Sequence, residues 1–135
     1  LTIRDLQARC PEGNWGFIAF IPWIFRSTGT RLEQEGVKSH FSPMEYIRII
    51  AVSRLILNNI RNVQASWLTV GKATAQLALH SGANDMGSIM IEENVVSSAG
   101  AHNQFDAEGI QQAIREAGFR PQLRDQLYRL REWKG

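Results

Sequence analysis

Apolar and polar positions along the chain predict three strands separated by helices. A nearly continuous apolar run over residues 15–23, rich in aromatic and β-branched side chains, is typical of a strand covered on both faces. Residues 63–69 alternate between two unlike faces, which predicts a second strand, and residues 83–91 are predicted as the third. Strands that alternate with helices favour a parallel sheet with helical crossover connections.

Helix signals occupy the segments between and beyond these strands. Ser42, Pro43 and Glu45 form a capping box with proline at the first helical position, so a helix is predicted to begin at Pro43. Gly118 is placed to end a helix over residues 106–117. Further helical segments are predicted over residues 1–9, 71–81, 92–96 and 122–133, and a loop over residues 26–41.

The alternation of strands with helices predicts an α/β fold, and the number of strands predicts how much of a barrel is present. A closed (β/α)8 barrel needs about 200 residues or more, whereas this chain has 135. We therefore predict a partial, half TIM-type barrel of about three parallel strands over residues 1–105, followed by C-terminal helices over residues 106–135. A half barrel leaves two strand edges unpaired, so a homo-oligomer is expected. A complete small α/β domain usually carries a glycine-rich phosphate loop, and no such motif occurs in the sequence.

Composition narrows the classes of function. With 44% hydrophobic and 21% charged residues, the chain is ordinary for one globular domain. Its net charge of +2 comes from scattered residues, so no nucleic-acid partner is predicted. No stretch approaches a membrane span and no secretion signal is recognisable, so we expect a cytoplasmic protein without a membrane partner. The single cysteine, Cys10, cannot form an internal disulfide, and no metal site is predicted.

A polar corner at the third strand is the strongest candidate for an active-site rim. Asn84, Asp85, Gly87 and Ser88 surround apolar residues where a strand gives way to a helix. If the strand runs to residue 91, Asn84 and Asp85 lie at its start and cap a turn. If the strand ends near Asp85, Gly87 and Ser88 form the rim, and the backbone of Gly87 can approach a ligand closely.

Several motifs occur in the order found in one known family. Together they resemble the C-terminal half of cyclic dehypoxanthinyl futalosine synthase, and the motifs that carry the resemblance are residues 20–23, 46–55, 62–69, 82–88, 92–96, 99–101 and 117–125 with Tyr128. Two sister enzymes, aminodeoxyfutalosine synthase and the deazaflavin-forming synthase subunit, share the layout. The motifs Pro22-Trp23, Gln64-Ala65-Ser66-Trp67 and residues 87–94 favour the cyclase over either of them.

The resemblance implies a radical S-adenosylmethionine enzyme of menaquinone biosynthesis. Such an enzyme cleaves S-adenosylmethionine at a four-iron, four-sulfur cluster, and the resulting radical cyclises the small molecule dehypoxanthine futalosine. The family holds its cluster with a Cys-x-x-x-Cys-x-x-Cys loop, which this sequence lacks, so the fragment is expected to be inactive alone. Two alternatives remain: a sister enzyme, or a non-catalytic half barrel that binds a small ligand or self-associates.

The resemblance also implies roles for residues near the carboxyl ends of the strands, which face the active site of a barrel. Glu92 or Glu93 is predicted to remove a proton after cyclisation, although carboxylates also stabilise the first turn of a helix. The predicted substrate or cofactor contacts are Trp23, Gln64, Ser66, Trp67, Thr69, Asn84, Asp85, Gly87, Ser88 and Asn94.

Structural alternatives exist for several of these residues. Trp23 and Trp67 can pack under helices instead of stacking on a substrate ring. Gln64 and Ser66 can hydrogen-bond each other in a polar barrel centre. Arg54, outside the predicted site, is expected to pair with a carboxylate between helices.

Overall fold

The computed structural model describes residues 2–25, 27–39, 41–89 and 106–132. Helices and short strands alternate along them. The elements are α1 Thr2–Ala8, β1 Ala19–Phe20, α2 Arg31–Gln34, α3 Pro43–Ile56, β2 Asn62–Val63, α4 Trp67–Val70, α5 Lys72–His80, α6 Ala107–Glu116, β3 Leu123–Arg124 and β4 Leu130–Arg131.

A short parallel sheet organises the first part of the chain. β1 pairs with β2 in parallel, with Phe20 opposite Val63. A parallel bridge between Gln64 and Asp85 adds a third segment beside β2. α3 lies between the first two segments in the chain, and α4 and α5 lie between the second and the third. The chain is therefore a mixed helix and strand structure of the α/β type, with parallel segments in the predicted order.

The predicted strand over residues 63–69 is wrong beyond Gln64, because the chain turns into α4. Ser66 N donates to the hydroxyl of Tyr46 at 2.7 Å, and Thr69 Oγ1 donates to Ser66 O at 3.1 Å. These bonds stabilise a turn at Ser66 instead of a continued ladder. The first three residues of α4 are all buried, so the alternation in sequence does not mark one buried and one exposed face.

The other two strands are also shorter than predicted. Within residues 15–23 only β1 is a strand, and Trp15 and Phe17 are exposed, so this run is not covered on both faces. The described part of the third segment contributes a single bridge at Asp85. Of the two alternatives for that segment, the structure adopts the short one. The helical turn predicted over residues 92–96 lies outside the described residues.

Helix α3 confirms the predicted capping box. Ser42 N donates to Glu45 Oε2 at 2.7 Å, and Glu45 N donates to Ser42 Oγ at 3.2 Å. The reciprocal bonds satisfy two of the amides that a helix start leaves free. The helix buries Tyr46 and Ile50, whereas Leu55 near its end is exposed.

Helices α1, α5 and α6 confirm the predictions made for their positions. Asp106 caps α6 by accepting a hydrogen bond from Gly109 N at 2.7 Å. By contrast, α2 lies inside the predicted loop over residues 26–41. There Thr30 caps a single turn by accepting a bond from Glu33 N at 3.3 Å.

The helix predicted over residues 122–133 is wrong, because β3 and β4 form an antiparallel hairpin. Asp125 Oδ1 accepts hydrogen bonds from Leu127 N at 2.9 Å and from Arg129 N at 3.0 Å. Asp125 Oδ2 also accepts a bond from Arg129 Nε at 2.6 Å. An aspartate that satisfies nearby amides in this way favours a turn over a helix.

Arg54 connects α3 to two loops, and its partners within the described residues are carbonyl and amide oxygens instead of the predicted carboxylate. Its Nε donates to Gly82 O at 2.7 Å, its Nη1 to Arg61 O at 3.0 Å and its Nη2 to Asn84 Oδ1 at 2.9 Å. Gly82 has φ +120°, and a Cβ there would lie 2.8 Å from Arg54 Cβ. The glycine therefore allows the arginine stem to cross the loop.

The core lies between the sheet and helices α3, α5 and α6. Its buried members are Tyr46, Ile50, Val63, Ala65, Trp67, Leu68, Ala75, Ala78, Ala83, Met86, Ile110 and Ala113. Several are alanines, which lets α5 approach α3 and α6 closely.

Replacement of Tyr46 by phenylalanine is expected to lower the free energy of unfolding by about 1–3 kcal/mol. The Tyr46 side chain is fully buried, and the variant leaves the buried Ser66 N–H group without its acceptor. Urea denaturation measures the loss. Tyr128→Phe is the matched control, because its hydroxyl makes a longer bond of 3.4 Å to Gln64. Equal losses of unfolding free energy in the two variants would contradict the role of the Tyr46 hydroxyl as the acceptor for Ser66 N–H.

Candidate active site at the carboxyl ends of the parallel strands

Five residues meet where the parallel segments end. Gln64 and Asp85 form the last bridge of the sheet, Gly87 follows Asp85, and the C-terminal hairpin brings Arg124 and Tyr128 against them. We call this set the Asp85 cluster. Both open parallel sheets and closed barrels bind their ligands at the carboxyl ends of the strands. The cluster therefore occupies the expected position of a site.

An ion pair forms the centre of the cluster. Arg124 donates to Asp85 Oδ2 from Nη2 at 2.6 Å and from Nε at 3.1 Å. The side chains of Arg124 and Asp85 are 21% and 11% exposed, so water screens the pair only in part. Burial on its own lowers the pKa of Arg124, but hydrogen bonding to Asp85 and the Asp85 charge outweigh it and raise that pKa.

The second carboxylate oxygen of Asp85 is also occupied. Asp85 Oδ1 accepts a hydrogen bond from Gly87 N at 3.0 Å. Gly87 has φ +78°, and a Cβ at this position would lie 2.6 Å from Gln64 Nε2. Glycine is therefore required both for the backbone conformation and for the close approach of Gln64. A carboxylate with three donors already in place is suited to positioning other groups.

Tyr128 closes the cluster on the hairpin side. The Arg124 guanidinium carbon lies 3.9 Å from the centroid of the Tyr128 ring, which is a cation–π contact. Tyr128 Oη donates to Gln64 Oε1 at 3.4 Å. The backbone of Tyr128 has φ 60°, a left-handed conformation that costs a residue with a side chain about 1–3 kcal/mol. Strained backbone that contacts keep in place is common at functional sites.

The phenol of Tyr128 is expected to remain neutral well into alkaline solution. Burial, followed by the charge of Asp85, raises the pKa of Tyr128 to about 12. A free tyrosine has a pKa of about 10. The contribution of the Tyr128 phenol to the free energy of unfolding is therefore complete below about pH 10, and it is lost as the pH rises toward 12. The difference in phenolate absorbance between the wild type and Tyr128→Phe measures this titration. A midpoint near pH 10 in a chain still folded by circular dichroism would contradict it.

A cavity of about 690 Å³ opens beside the Asp85 cluster. Residues 85–89, helix α6 and residues 120–124 line it, and Gly87 and Ser88 stand on its wall. The predicted rim residues therefore border open space that a small molecule can enter. We call this space the α6 cavity.

The predicted contacts Ser66, Trp67 and Thr69 are buried and do not line that cavity. Thr69 Oγ1 donates to Ser66 Oγ at 2.9 Å, while Gln64 bonds to Tyr128, so Ser66 and Gln64 have separate partners. Trp67 is 3% exposed and belongs to the hydrophobic core. Trp67 therefore packs in the core, which was the alternative to stacking on a substrate ring.

The side chains of Asn84 and Trp23 have other surroundings than the cluster residues. Asn84 Oδ1 accepts bonds from Val63 N at 2.8 Å and from Arg54 at 2.9 Å, which fixes the loop before the third segment. Trp23 is 66% exposed. The predicted residues Glu92, Glu93 and Asn94 lie outside the described residues, and their roles stay predictions.

Arg124 and Tyr128 are the site residues that the sequence reasoning missed. The helix predicted over residues 122–133 gave no reason to expect them at the strand ends. A usable signal was present, because Arg124 and Tyr128 both belong to the ending that contributes to the family resemblance.

The residues present do not fit an iron–sulfur cluster. Such a cluster needs several converging thiolates, and Cys10 is the single cysteine. Its thiol contacts Asn14 O at 3.8 Å. Across the described ranges, no three His, Cys, Asp or Glu side chains are grouped so as to hold a metal ion.

Two kinds of enzyme are similar to this chain in sequence. The chain is 45% identical over 126 residues to cyclic dehypoxanthine futalosine synthase of Streptomyces coelicolor, which covers 93% of this chain and 30% of that protein. The enzyme of the same name from Halalkalibacterium halodurans is 43% identical over 128 residues, covering 95% of the chain and 33% of the relative. A 5-amino-6-(D-ribitylamino)uracil–L-tyrosine 4-hydroxyphenyl transferase from Methanococcoides burtonii is 38% identical over 136 residues, covering 96% and 37%.

A family model then assigns the chain. The model described as the CofH/MqnC C-terminal region matches residues 14–135, and the chain belongs to this family. The resemblance predicted from the sequence motifs is thereby confirmed. The chain spans about a third of the length of these curated relatives. None of the helices in the described ranges is long and apolar enough to cross a membrane.

Proposed function

We propose that this chain is the substrate-side part of a radical S-adenosylmethionine cyclase that converts dehypoxanthine futalosine to cyclic dehypoxanthine futalosine in a cytoplasmic route to menaquinone. The observation that carries the proposal is the Asp85 cluster at the carboxyl ends of the parallel segments. Membership of the CofH/MqnC C-terminal family supports it. The higher identity to two futalosine cyclases than to the transferase favours the cyclase reaction.

In this proposal the parallel segments form part of a half TIM-type barrel over residues 1–105. The rest of the enzyme supplies the iron–sulfur cluster and S-adenosylmethionine, because the single thiol of this chain, Cys10, cannot hold such a cluster. The cofactor supplies the radical chemistry when it is bound. The contribution of the chain is to orient the substrate.

The Asp85 cluster provides that orientation through fixed polar groups. Arg124 and Asp85 neutralise each other, so the pair adds directed hydrogen bonds without a large net charge. The phenol of Tyr128 stays protonated and donates to Gln64, and its oxygen can accept a hydrogen bond from a substrate hydroxyl. Preorganised donors of this kind hold reacting atoms in position, and Glu92 or Glu93 remains the proposed acceptor of the proton released after cyclisation.

The reaction is tested with the full-length protein that carries this sequence. It is reconstituted without oxygen and supplied with dehypoxanthine futalosine, or with tyrosine and 5-amino-6-(D-ribitylamino)uracil. Mass spectrometry that finds the cyclic product from the first substrate supports the proposal. A hydroxyphenyl adduct from the second pair identifies the transferase reaction instead, and no product from either substrate contradicts both assignments.

The 135-residue chain by itself is expected to be inactive and to self-associate. A half barrel has open sheet edges, and large apolar side chains such as Trp15, Trp23 and Leu55 are exposed. Static light scattering measures the mass in solution. A dimer or larger assembly is the expected result, and a monodisperse monomer of 15.3 kDa would count against it.

A further inference from the structure

We propose that the C-terminal hairpin, residues 122–131, is a movable gate between two cavities and that the ion pair of Asp85 and Arg124 latches it shut. The α6 cavity has residues 120–124 in its wall. A second cavity of about 420 Å³, which we call the β1 groove, has residues 127–130 in its wall. The hairpin is therefore a wall that the two cavities share.

The wall between the two cavities is thin. Arg124 borders the α6 cavity and Tyr128 borders the β1 groove, and the guanidinium carbon lies 3.9 Å from the centroid of the Tyr128 ring. One stacked pair of side chains therefore separates the two spaces at this point. The β1 groove is also lined by residues within 15–18 and 59–62, which precede β1 and β2. Movement of the hairpin away from the sheet joins both spaces into one cleft along the parallel segments.

The backbone of the hairpin bonds only to itself. Its two strands have two residues each. Asp125 N donates to Arg129 O at 3.0 Å, and Tyr128 N donates to Asp125 O at 3.1 Å. Within the part of the chain that the structure describes, no backbone group of residues 122–131 bonds to another element. An isolated two-stranded hairpin is marginally stable in water, so we expect the undocked hairpin to lose these internal bonds as well.

Little of the hairpin is buried. None of residues 122–131, all of which the structure describes, belongs to the buried class. Leu123, Leu127 and Leu130 are 41%, 42% and 74% exposed. Few apolar contacts therefore oppose undocking. Segments with few buried contacts are the ones that open locally while the rest of a domain stays folded.

Two side-chain links hold the hairpin against the described part of the sheet. Arg124 donates twice to Asp85 Oδ2, at 2.6 Å and 3.1 Å. Tyr128 Oη donates to Gln64 Oε1 at 3.4 Å. The ion pair is the stronger link, because its bonds are charge-assisted and shorter. Opening returns both charges to water, and their hydration offsets much of the attraction that is lost. The pair can therefore fix the docked position and still release it.

The pivot lies directly before the hairpin. Phe119 is held in place, because its N donates to Ile114 O at 3.1 Å and its ring centroid lies 4.9 Å from that of His80. Residues 120–122 follow this anchor and precede β3. The chain is fixed up to Phe119, and residues 120–122 carry the change in direction when the hairpin moves.

Native-state hydrogen exchange of the full-length protein that carries this sequence, followed by mass spectrometry, tests the gate. Amides of residues 122–131 are expected to exchange through a local opening that does not respond to low concentrations of urea, whereas the amides of α3 exchange only through larger unfolding. Asp85→Asn is expected to speed exchange of the hairpin roughly tenfold or more. Glu35→Gln, which breaks an exposed ion pair on α2, is expected to leave it unchanged.

Two results would overturn the proposal. If residues 122–131 of the wild type exchange at the rate and with the urea dependence of α3, the hairpin opens only when the whole domain unfolds and is no gate. If Asp85→Asn and Glu35→Gln change the exchange of the hairpin equally, the ion pair is no latch. The wild-type measurement needs no variant, so the gate is tested even where Asp85→Asn does not fold. Neither measurement involves the reaction, and the gate and the proposed function can therefore fail separately.

Discussion

Replacement of Asp85 by asparagine is expected to lower the free energy of unfolding by about 2 kcal/mol. Removal of one partner from a buried ion pair costs about 3–5 kcal/mol, and partial exposure of this pair reduces the effect. The variant leaves Arg124 without its anion while the guanidinium stays largely enclosed between Asp85 and the Tyr128 ring. Chemical denaturation measures the change.

Glu35→Gln provides a matched control for the Asp85 variant. It removes the anion of another arginine–carboxylate pair, Arg31 and Glu35, whose atoms lie 2.9 Å apart but whose side chains are 89% and 51% exposed. A loss below about 0.5 kcal/mol is expected there. A double-mutant cycle with Arg124→Met isolates the coupling between Asp85 and Arg124. If Asp85→Asn costs no more than Glu35→Gln, the cluster does not hold the hairpin against the sheet.

Replacement of Arg54 by methionine is expected to cost about 3 kcal/mol of folding free energy. Its guanidinium donates to the carbonyls of Gly82 and Arg61 and to Asn84 Oδ1. A buried hydrogen bond from a charged donor contributes about 1.5–3 kcal/mol net of its exchange with water, and the three together contribute less than their sum because Arg54 is half-buried. Methionine keeps the apolar stem while removing the donors. The loops that precede the second and the third segment then lose their common anchor.

Arg48→Met is the control for that variant, because Arg48 lies exposed on the same helix. Its replacement is expected to change stability by less than about 0.5 kcal/mol. Urea denaturation of the two variants gives the comparison. Similar midpoints would show that the network of Arg54 contributes little.

Local signals account for the elements that the sequence predicted well. The capping box at Ser42 and Glu45 fixes the start of α3 because its hydrogen bonds join residues three apart. Asp106 and Gly118 bracket α6 in the same local manner, with Gly118 at φ +83°. Apolar runs also indicated the order of the parallel segments, although they exaggerated the lengths of the strands.

The elements that the sequence predicted poorly depend on distant contacts. α4 forms where Ser66 N meets the hydroxyl of Tyr46, twenty positions earlier in the chain. The C-terminal hairpin is held by Arg124 on Asp85, which are 39 positions apart. Helical spacing of leucines near the C-terminus carries no information about the contact between Arg124 and Asp85. The helix prediction therefore failed there.

The residues of the candidate site were likewise predictable where local sequence places them and not where distant contacts do. Gln64, Asp85 and Gly87 could be predicted because they stand in motifs at the ends of strands. Arg124 and Tyr128 could not, since their placement depends on the hairpin. The predicted residues Ser66 and Trp67 are buried near the cluster, where they fix the turn that follows Gln64.

The kcat of the full-length protein carrying Asp85→Asn, measured without oxygen with dehypoxanthine futalosine, tests the central claim most directly. Because small displacements of positioning groups can cost about 100-fold in rate, kcat is expected to fall by about that factor in a variant that circular dichroism shows to be folded. Glu35→Gln is expected to retain wild-type kcat. Cyclic product formed by Asp85→Asn at the wild-type rate, or no cyclic product from the wild type, would contradict the account.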